Sequence, residues 1–209
     1  MEHLLHRVAV AALGLGLVGL MGCAKSEPTR FYVLDPGAGL EAVETGTSTR
    51  QGVAIGVGPV EIPQYLDRPQ IVTRTSANSL ELGEFDQWAG RLSEDFSRVL
   101  AEQLSEALAT DNVSVFPWRG SARVDYQITV KVLAFEADAG GSSALDARWE
   151  ITDAKTKQPL VSARSRLRQG APPATEKPRT PEEYQAIVAS MSHNLAALAR
   201  DMAERIAAF

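Results

Sequence analysis

The sequence predicts an α+β fold: a two-layer sandwich in which a mostly antiparallel sheet carries two long helices packed on one face. Two observations support it. Strand-like segments with apolar residues at every second position recur between residues 30 and 168, and two long segments repeat their apolar residues every three to four positions. Each predicted helix is apolar on one side only. That side must be buried, and one face of the sheet is the surface available for it.

The strands are predicted from alternation and from β-branched or aromatic residues. The N-terminal set comprises residues 30–34, 52–62, 69–75 and 79–82. The turn before the last of these is Ala77-Asn78. The clearest strand is VDYQITVKVLAFEA, residues 124–137, and strands at 144–153 and 160–168 return beside it. These last three segments therefore predict an antiparallel meander.

Two helices are predicted from apolar residues at helical spacing. The first spans residues 87–109 with Asp86 as its N-cap, because a carboxylate there accepts from the free amides of the first turn. The second follows Thr180-Pro181-Glu182-Glu183, which has the pattern of a capping box with proline at the first helical position. Phe96 on the first helix and Leu195 on the second are predicted to be core residues.

The first 22 residues have the composition of an export signal. Residues 8–20 contain no charged side chain. This run is shorter than the roughly 20 apolar residues of a membrane-spanning helix and has the size of a signal-peptide core. It ends in Leu20-Met21-Gly22-Cys23, which resembles the lipobox of bacterial lipoproteins. The resemblance implies signal cleavage between Gly22 and Cys23, with a diacylglycerol and an N-acyl chain then attached to Cys23.

Cys23 is the only cysteine in the chain, so it can form no intramolecular disulfide. The alternative to a lipid anchor is a small buried cysteine at the end of a secretory signal. Alanine rather than aspartate follows Cys23, and in lipoprotein sorting this favours the outer membrane, with the domain facing the periplasm. The predicted organisation is a lipoprotein signal peptide (1–22), an acylated tether (23–29) and a single domain (30–209).

Composition argues against several classes of function. The formal net charge is -5, from 21 Lys and Arg against 26 Asp and Glu, which disfavours nucleic acid as a partner. Only His193 follows Cys23 among the three histidines, so a zinc site of cysteine and histidine is not expected. We expect no metal, no catalytic residues and no cofactor besides the acyl chains on Cys23. Asp67, Glu84 and Asp86 could serve a hydrolase, but nothing in the sequence selects two of them as a pair.

The stretch VGPVEIPQYLDRPQIVTR, residues 57–74, reads as a strand that is interrupted between Pro63 and Pro69. An ordinary turn does not require a tyrosine, a leucine and an arginine. In one interpretation Tyr65 and Leu66 fold onto the core. In the other, the prolines stiffen a loop that presents Tyr65, Leu66, Asp67 and Arg68 to a partner, since tyrosine and arginine are enriched at interface hot spots.

Five cations are predicted to lie on the outer face of the meander despite the acidic total. They are Lys131, Arg148, Arg164, Arg166 and Arg168. Charged residues on edge strands often prevent aggregation, and this is one interpretation. The other is an acidic partner that binds this face.

The order of these motifs resembles the PqiC-like members of the ABC-type transport auxiliary lipoprotein family. The specific parts are the strand entering Pro63, the segment Tyr65-Leu66-Asp67-Arg68-Pro69, Ile71-Val72 and Trp88-Ala89. The resemblance covers nearly the whole chain after Cys23, with departures at Gly90 and in the loops 35–51 and 169–179.

That resemblance implies a non-catalytic accessory subunit of a phospholipid transport system. The implied partner is an inner-membrane protein with mammalian-cell-entry (MCE) domains, which forms a PqiB-like periplasmic conduit, and the lipoprotein is expected to be a homo-oligomer. Two other functions stay open from the residues alone. One is a carrier that holds lipid in a cavity between its helices and sheet, and the other is an envelope hydrolase.

Overall fold

A computed structural model describes residues 27–39, 53–118, 123–171 and 179–208. The strands are β1 (Arg30–Tyr32), β2 (Ile55–Glu61), β3 (Gln70–Ser76), β4 (Ser79–Trp88), β5 (Val113–Val115), β6 (Tyr126–Asp138), β7 (Ser143–Asp153) and β8 (Pro159–Gln169). The helices are α1 (Leu92–Leu108) and α2 (Pro181–Ala207). The two helices pack against each other and on the same sheet, which confirms the predicted α+β class.

β6 is the central strand of the sheet. Along one edge it pairs antiparallel with β7, which in turn pairs antiparallel with β8, as the predicted meander requires. Along its other edge β6 pairs in parallel first with β2 and then with β3. β5 adds in parallel to β2, while β4 adds antiparallel to β3 and β1 adds in parallel to β4. The sheet is therefore mixed: its long registers are antiparallel and its parallel pairs are short.

The core lies between the sheet and the two helices. Alternate residues of β6 and β7 that face the helices, such as Ile128 and Leu145, are fully buried. Phe96 of α1 packs edge-on against Phe135 of β6, with 5.3 Å between the ring centroids. Leu195 of α2 is also fully buried. Helical spacing therefore predicted both core residues correctly.

The start of α2 agrees with the sequence in detail. Thr180 is the N-cap, its hydroxyl accepts from the backbone N–H of Glu183 at 3.3 Å, and the Glu183 carboxylate accepts from the backbone N–H of Thr180 at 3.0 Å. Pro181 occupies the first helical position. This reciprocal capping box satisfies two backbone donors that the first turn leaves free.

The start of α1 was predicted wrongly. The helix begins at Leu92 and not at residue 87, because residues 83–88 continue β4. Asp86 is consequently a buried strand residue and not an N-cap, and Trp88 is buried as a strand residue. The longer strand is required because β1 pairs with this part of β4, with Arg30 opposite Asp86. A distant pairing of this kind leaves no trace in local periodicity.

The short strand β5 was not predicted. α1 is followed by its C-cap Ala109, which has a left-handed conformation with φ of 48° and donates its N–H to carbonyl oxygens of the last turn. The chain then reverses and adds residues 113–115 to β2. Three residues are too few to show the alternation of apolar and polar side chains from which a strand is predicted. Most of the predicted loops 35–51 and 169–179 lie outside the described residues.

Candidate functional site

The interrupted stretch, residues 57–74, follows one edge of β6 and leaves that edge in its middle part. β2 and β3 run in the same direction beside the same edge of β6, with Glu61 opposite Lys131 and Thr73 opposite Ala137. From the first of these pairs to the second, the chain from β2 to β3 advances by twelve residues while β6 advances by six. The additional residues leave the sheet; they are residues 62–69, which we call the 62–69 segment. Prolines at its two ends donate no hydrogen bond, which suits positions where the ladder stops and resumes.

Leu66 fixes the 62–69 segment to the core. Its side chain is 1% exposed and belongs to the main hydrophobic cluster. The carbonyl oxygen of Pro63 accepts from the backbone N–H groups of Leu66 and Asp67 at 2.9 and 3.1 Å, which closes a tight turn. The interpretation in which Leu66 points outward is therefore wrong. Leu66 is buried because burying a leucine is more favourable than exposing it.

Asp67 holds the first turn of α1. Its Oδ1 accepts from the backbone N–H of Ser93 at 3.2 Å, while Oδ2 accepts from the Ser93 hydroxyl at 3.2 Å and from Arg91 at 2.9 Å. The N-cap residue itself, Arg91, makes no capping hydrogen bond with its side chain. Asp67 thus performs from a distance the role that the sequence suggested for Asp86.

The Asp67 carboxylate is held in its ionised form. Partial burial acts to raise its pKa, but the hydrogen bonds from Arg91 and Ser93 outweigh it, so the pKa lies below its ordinary value. A negative charge at this end of α1 is also favoured by the helix dipole.

Tyr65 is bound to the sheet through Glu136. Its hydroxyl donates to Glu136 Oε2 at 3.2 Å, and Arg74 pairs with Glu136 Oε1 at 2.7 Å. The Arg74 guanidinium also lies 5.9 Å from the centre of the Tyr65 ring. Burial, and next the Glu136 charge, raise the pKa of Tyr65. These contacts join the 62–69 segment to β3 and β6.

Arg68 is the least constrained of the four predicted partner-binding residues. It is half-buried, and its side chain donates to Gln70 Oε1 at 3.1 Å. The structure therefore brings Tyr65, Leu66, Asp67 and Arg68 together, and three of them hold the segment to the rest of the domain. Binding of a partner by this segment stays a prediction.

A second polar cluster attaches β1 to β4 and contains Asp86, for which the sequence predicted the role of an N-cap. Asp86 is 3% exposed and receives two hydrogen bonds from Arg30, at 2.8 and 2.9 Å, and one from the Tyr32 hydroxyl at 2.7 Å. Glu27 contacts the same guanidinium at 2.6 Å. Arg30 and Tyr32 are two residues apart in a strand, so both can reach one side of the sheet. The spacing of Arg30 and Tyr32 is the feature of the sequence from which this cluster could have been predicted.

Burial and the charge of Asp86 shift the pKa values of three neighbouring side chains. Hydrogen bonds to Asp86 and then Glu27 raise the pKa of Arg30. Burial, followed by the hydrogen bond to Asp86, raises the pKa of Tyr32. Burial and then the Asp86 charge raise the pKa of Tyr184 to about 12. All three side chains therefore keep one protonation state at neutral pH, and the cluster is a fixed attachment of the first strand.

The structure places the three candidate hydrolase carboxylates in different surroundings. Asp67 and Asp86 each bind a separate arginine, and Glu84 is exposed. His193 is exposed on α2, with its Nδ1 2.8 Å from the carbonyl oxygen of Ala189. Within the described ranges, no group of three or more His, Cys, Asp or Glu side chains is placed to hold a metal ion.

The predicted lipidation and cleavage residues, Gly22 and Cys23, lie outside the described residues. In the part of the chain that the structure covers, neither helix combines the length and the apolar character needed to cross a membrane.

Residues 32–203 match the family described as ABC-type transport auxiliary lipoprotein component. The chain belongs to this family. Membership makes it a lipoprotein auxiliary component of ABC-type transport, and it implies a transporter as partner and a membrane-anchored protein. The family is an auxiliary one, and no enzymatic family is indicated.

Two solved structures of low sequence identity share the fold of this family member. A crystal structure of an uncharacterised protein is 17% identical with a TM-score of 0.64, and the match covers 86% of this chain and 99% of that one. A Xanthomonas campestris protein of family DUF330 is 13% identical with a TM-score of 0.63, covering 86% and 96%. A PelC dodecamer from Paraburkholderia phytofirmans is 12% identical with a TM-score of 0.41, covering 71% and 87%. No curated protein matches the chain.

Proposed function

We propose that this lipoprotein is a non-catalytic accessory subunit of an MCE-type system that moves phospholipid between the two membranes and supports envelope integrity. In this proposal it is anchored in the outer membrane and faces the periplasm. There it works as a homo-oligomer at the end of a conduit formed by a PqiB-like inner-membrane MCE protein. The observation that carries the proposal is the family match over residues 32–203.

The connection between anchor and domain supports this role. Glu27, the first described residue, follows Cys23 by four positions, a span of at most about 14 Å in an extended chain. Two or more acyl chains on Cys23 are enough for stable membrane attachment. Because Asp86 binds Arg30 and Tyr32, β1 is held directly beyond this tether. A domain attached in this way stays close to the membrane surface.

The packing of the core favours docking over carrying lipid. Phe96 and Phe135 meet between α1 and the sheet, and Leu104 of α1 and Met202 of α2 are fully buried. These side chains occupy the space in which a carrier would hold acyl chains. Protein interiors packed by large side chains leave few voids larger than a water molecule.

The proposal is tested by purifying the full-length lipoprotein together with the MCE-domain protein of the same organism. We expect the two to co-purify from detergent-solubilised envelopes. In the same envelopes, Cys23→Ser should block cleavage by lipoprotein signal peptidase and remove the protein from the outer-membrane fraction. Failure to co-purify would overturn docking, and an outer-membrane location of Cys23→Ser after signal removal by another route would overturn the anchor.

Native mass spectrometry separates docking from the carrier alternative. The mature lipoprotein is expected to have the mass of the acylated chain alone once free lipid has been extracted. One phospholipid retained per chain would instead show that the domain carries lipid itself.

A further inference from the structure

β8 is an exposed edge of the sheet. Within the described residues it pairs with β7 only, along its whole length from Pro159 to Gln169. The other edge of a strand presents a row of backbone N–H and C=O groups that can pair with another chain. A strand of this length is therefore a surface to which a further strand can add.

Three arginines stand at alternate positions of this edge strand. The side chains of Arg164, Arg166 and Arg168 are 33%, 68% and 64% exposed. Alternate residues of a strand share one face, so these arginines lie on the same face of the sheet. Ser165 between them is buried on the helix side, where it accepts from Trp149 at 3.0 Å. The arginines are therefore on the outer face that the helices leave uncovered.

Neighbouring strands add further cations beside them. Arg148 of β7 is directly opposite Arg164 of β8 on one side and Lys131 of β6 on the other. Like charges directly opposite each other destabilise a sheet. These three residues also line a surface depression of about 790 Å³ on the outer face.

Carboxylates lie among these cations: Glu61 and Glu150 line the same depression, and Glu61 lies 3.7 Å from Lys131. Asp146 pairs with Arg164 at 2.6 Å and lies 3.8 Å from Arg166, and it also attracts Arg148. Asp138 pairs with Arg168 at 2.7 Å. Asp146 thus interacts with three arginines in a protein whose total charge is -5. The five cations therefore outnumber the carboxylates Glu61, Asp138, Asp146 and Glu150 by one, and their excess lies at the arginines that share Asp146.

We propose that β8 binds an extended acidic segment of a partner protein, which adds to the sheet as a further strand. Backbone hydrogen bonds along the edge would provide affinity. Carboxylates at every second position would lie beside Arg164, Arg166 and Arg168 and provide specificity. A purely protective edge needs exposed charges on β8, but it does not need Arg148 and Lys131 aligned behind them. This inference does not depend on which transporter the lipoprotein serves.

The test uses full-length lipoprotein in detergent and a fluorescent synthetic peptide as long as β8. The peptide has Glu at every second position with Val and Thr between, and its control has Gln in place of Glu. We expect the Glu peptide to bind about tenfold more tightly than the Gln peptide, with an affinity that decreases as salt is added. Methylating the backbone nitrogens along the edge that pairs with β8 should abolish binding.

Two double variants identify the surface. Arg166→Gln with Arg168→Gln should reduce affinity for the Glu peptide about tenfold, because two cross-strand charge pairs are lost. Arg98→Gln with Arg123→Gln is the matched control: it removes the same charge from cations that also have carboxylate partners, at 2.6 and 3.0 Å, away from the outer face. The control should bind the peptide as wild type does. In Arg166→Glu with Arg168→Glu, a peptide with Lys in place of Glu should bind instead.

Several results would overturn the proposal. Equal binding of the Glu and Gln peptides, or none, would exclude recognition of an acidic strand. Self-association of the Gln double variant without a change in peptide binding would show that the arginines only protect the edge. A change of oligomeric state alone would point to a second copy of the chain. Binding of a soluble short-chain anionic phospholipid in place of the peptide would identify a membrane-facing surface.

Discussion

Two aspartates show how little a residue's type determines its role. Asp67 lies in a segment between two prolines, yet it binds Arg91 and the backbone of Ser93 at the start of α1. Asp86 precedes an apolar periodic segment, yet it is buried beside Arg30. Each carboxylate is placed by the strand or segment that carries it, so its partner is distant in sequence.

Replacing Asp67 by alanine should destabilise the domain by about 1 kcal/mol, within the range of roughly 0.5–2 kcal/mol for a lost helix cap. The first turn of α1 would lose the acceptor for the Ser93 N–H. Thermal or urea unfolding measures the loss. Glu94→Ala, an exposed change in the same turn, is the control and should leave stability nearly unchanged.

The effect of Asp67 should depend on pH. Its pKa in the folded protein is below the ordinary value of 3.8, so its contribution is present above that value and is lost as the pH falls through the lower folded pKa. The difference in Tm between wild type and Asp67→Asn should be largest near neutral pH and should shrink on acidification below 3.8. A difference that grows in acid would contradict the assignment.

Asp86→Asn should be more harmful, with a loss of about 3 kcal/mol, the low end for breaking a buried ion pair. The low end of that range applies because Arg30 would still contact Glu27. Its side chain is also already 23% exposed to solvent. Denaturant unfolding measures it. Glu84→Gln, on the same strand but exposed, is the matched control, and equal stability of the two variants would exclude a structural role for the pair.

At the level of elements, the 62–69 segment compensates for a mismatch in length. The chain from β2 to β3 is longer than the stretch of β6 that it follows, so part of it must leave the sheet. Leu66 packs into the core from this segment, and the backbone N–H of Trp88 donates to the carbonyl oxygen of Pro69 at 2.7 Å. The segment is consequently a packed connection between β2, β3 and α1.

Truncating Leu66 to alanine should destabilise the domain by about 2–5 kcal/mol, as for other buried leucines. Arg68→Ala is the control within the same segment, since among the described residues the Arg68 side chain hydrogen-bonds only to Gln70. Its Tm should stay within a few degrees of wild type. The same Arg68 variant, assayed for co-purification with the MCE-domain protein, tests whether the segment contacts a partner. Equal melting of both variants would mean that Leu66 is not a core residue.

Among the described residues, the two helices cover one face of the sheet and leave the other face uncovered. α1 and α2 share a single core with the inner face, where Phe96 meets Phe135 and Leu195 is fully buried. The outer face of β6, β7 and β8 carries charged side chains and a shallow depression. The covered face therefore provides the core, and the outer face carries the surface proposed to bind a partner strand.

Because the core is shared, a defect in either helix should lower the stability of the entire domain. Phe96→Ala is expected to cost about 3–5 kcal/mol and Leu195→Ala about 2–5 kcal/mol. Both should unfold in one transition at lower temperature, followed by circular dichroism. Glu94→Ala and Glu204→Ala, exposed on the same two helices, are the matched controls. Wild-type melting of Phe96→Ala or Leu195→Ala would show that the helix faces are assigned wrongly.

The sequence by itself determined the features that arise from neighbours along the chain. Alternation identified β6, β7 and β8 and their meander, and the capping box located the start of α2, because side-chain direction and backbone capping depend on residues a few positions apart. The family could likewise be recognised from short motifs around Pro63 and Trp88. The predicted lipid attachment at Cys23 rests on the sequence alone.

Only the tertiary structure decided which distant segments meet. β1 pairs with β4 and turns Asp86 into the partner of Arg30, and the parallel pairing of β2 and β3 with β6 turns Asp67 into a cap for α1. Parallel pairing joins segments far apart in sequence, and its partners leave no shared local pattern. The physical reason is that burial and hydrogen bonding are satisfied over the whole fold, so a residue's partner is fixed only when the strands are arranged.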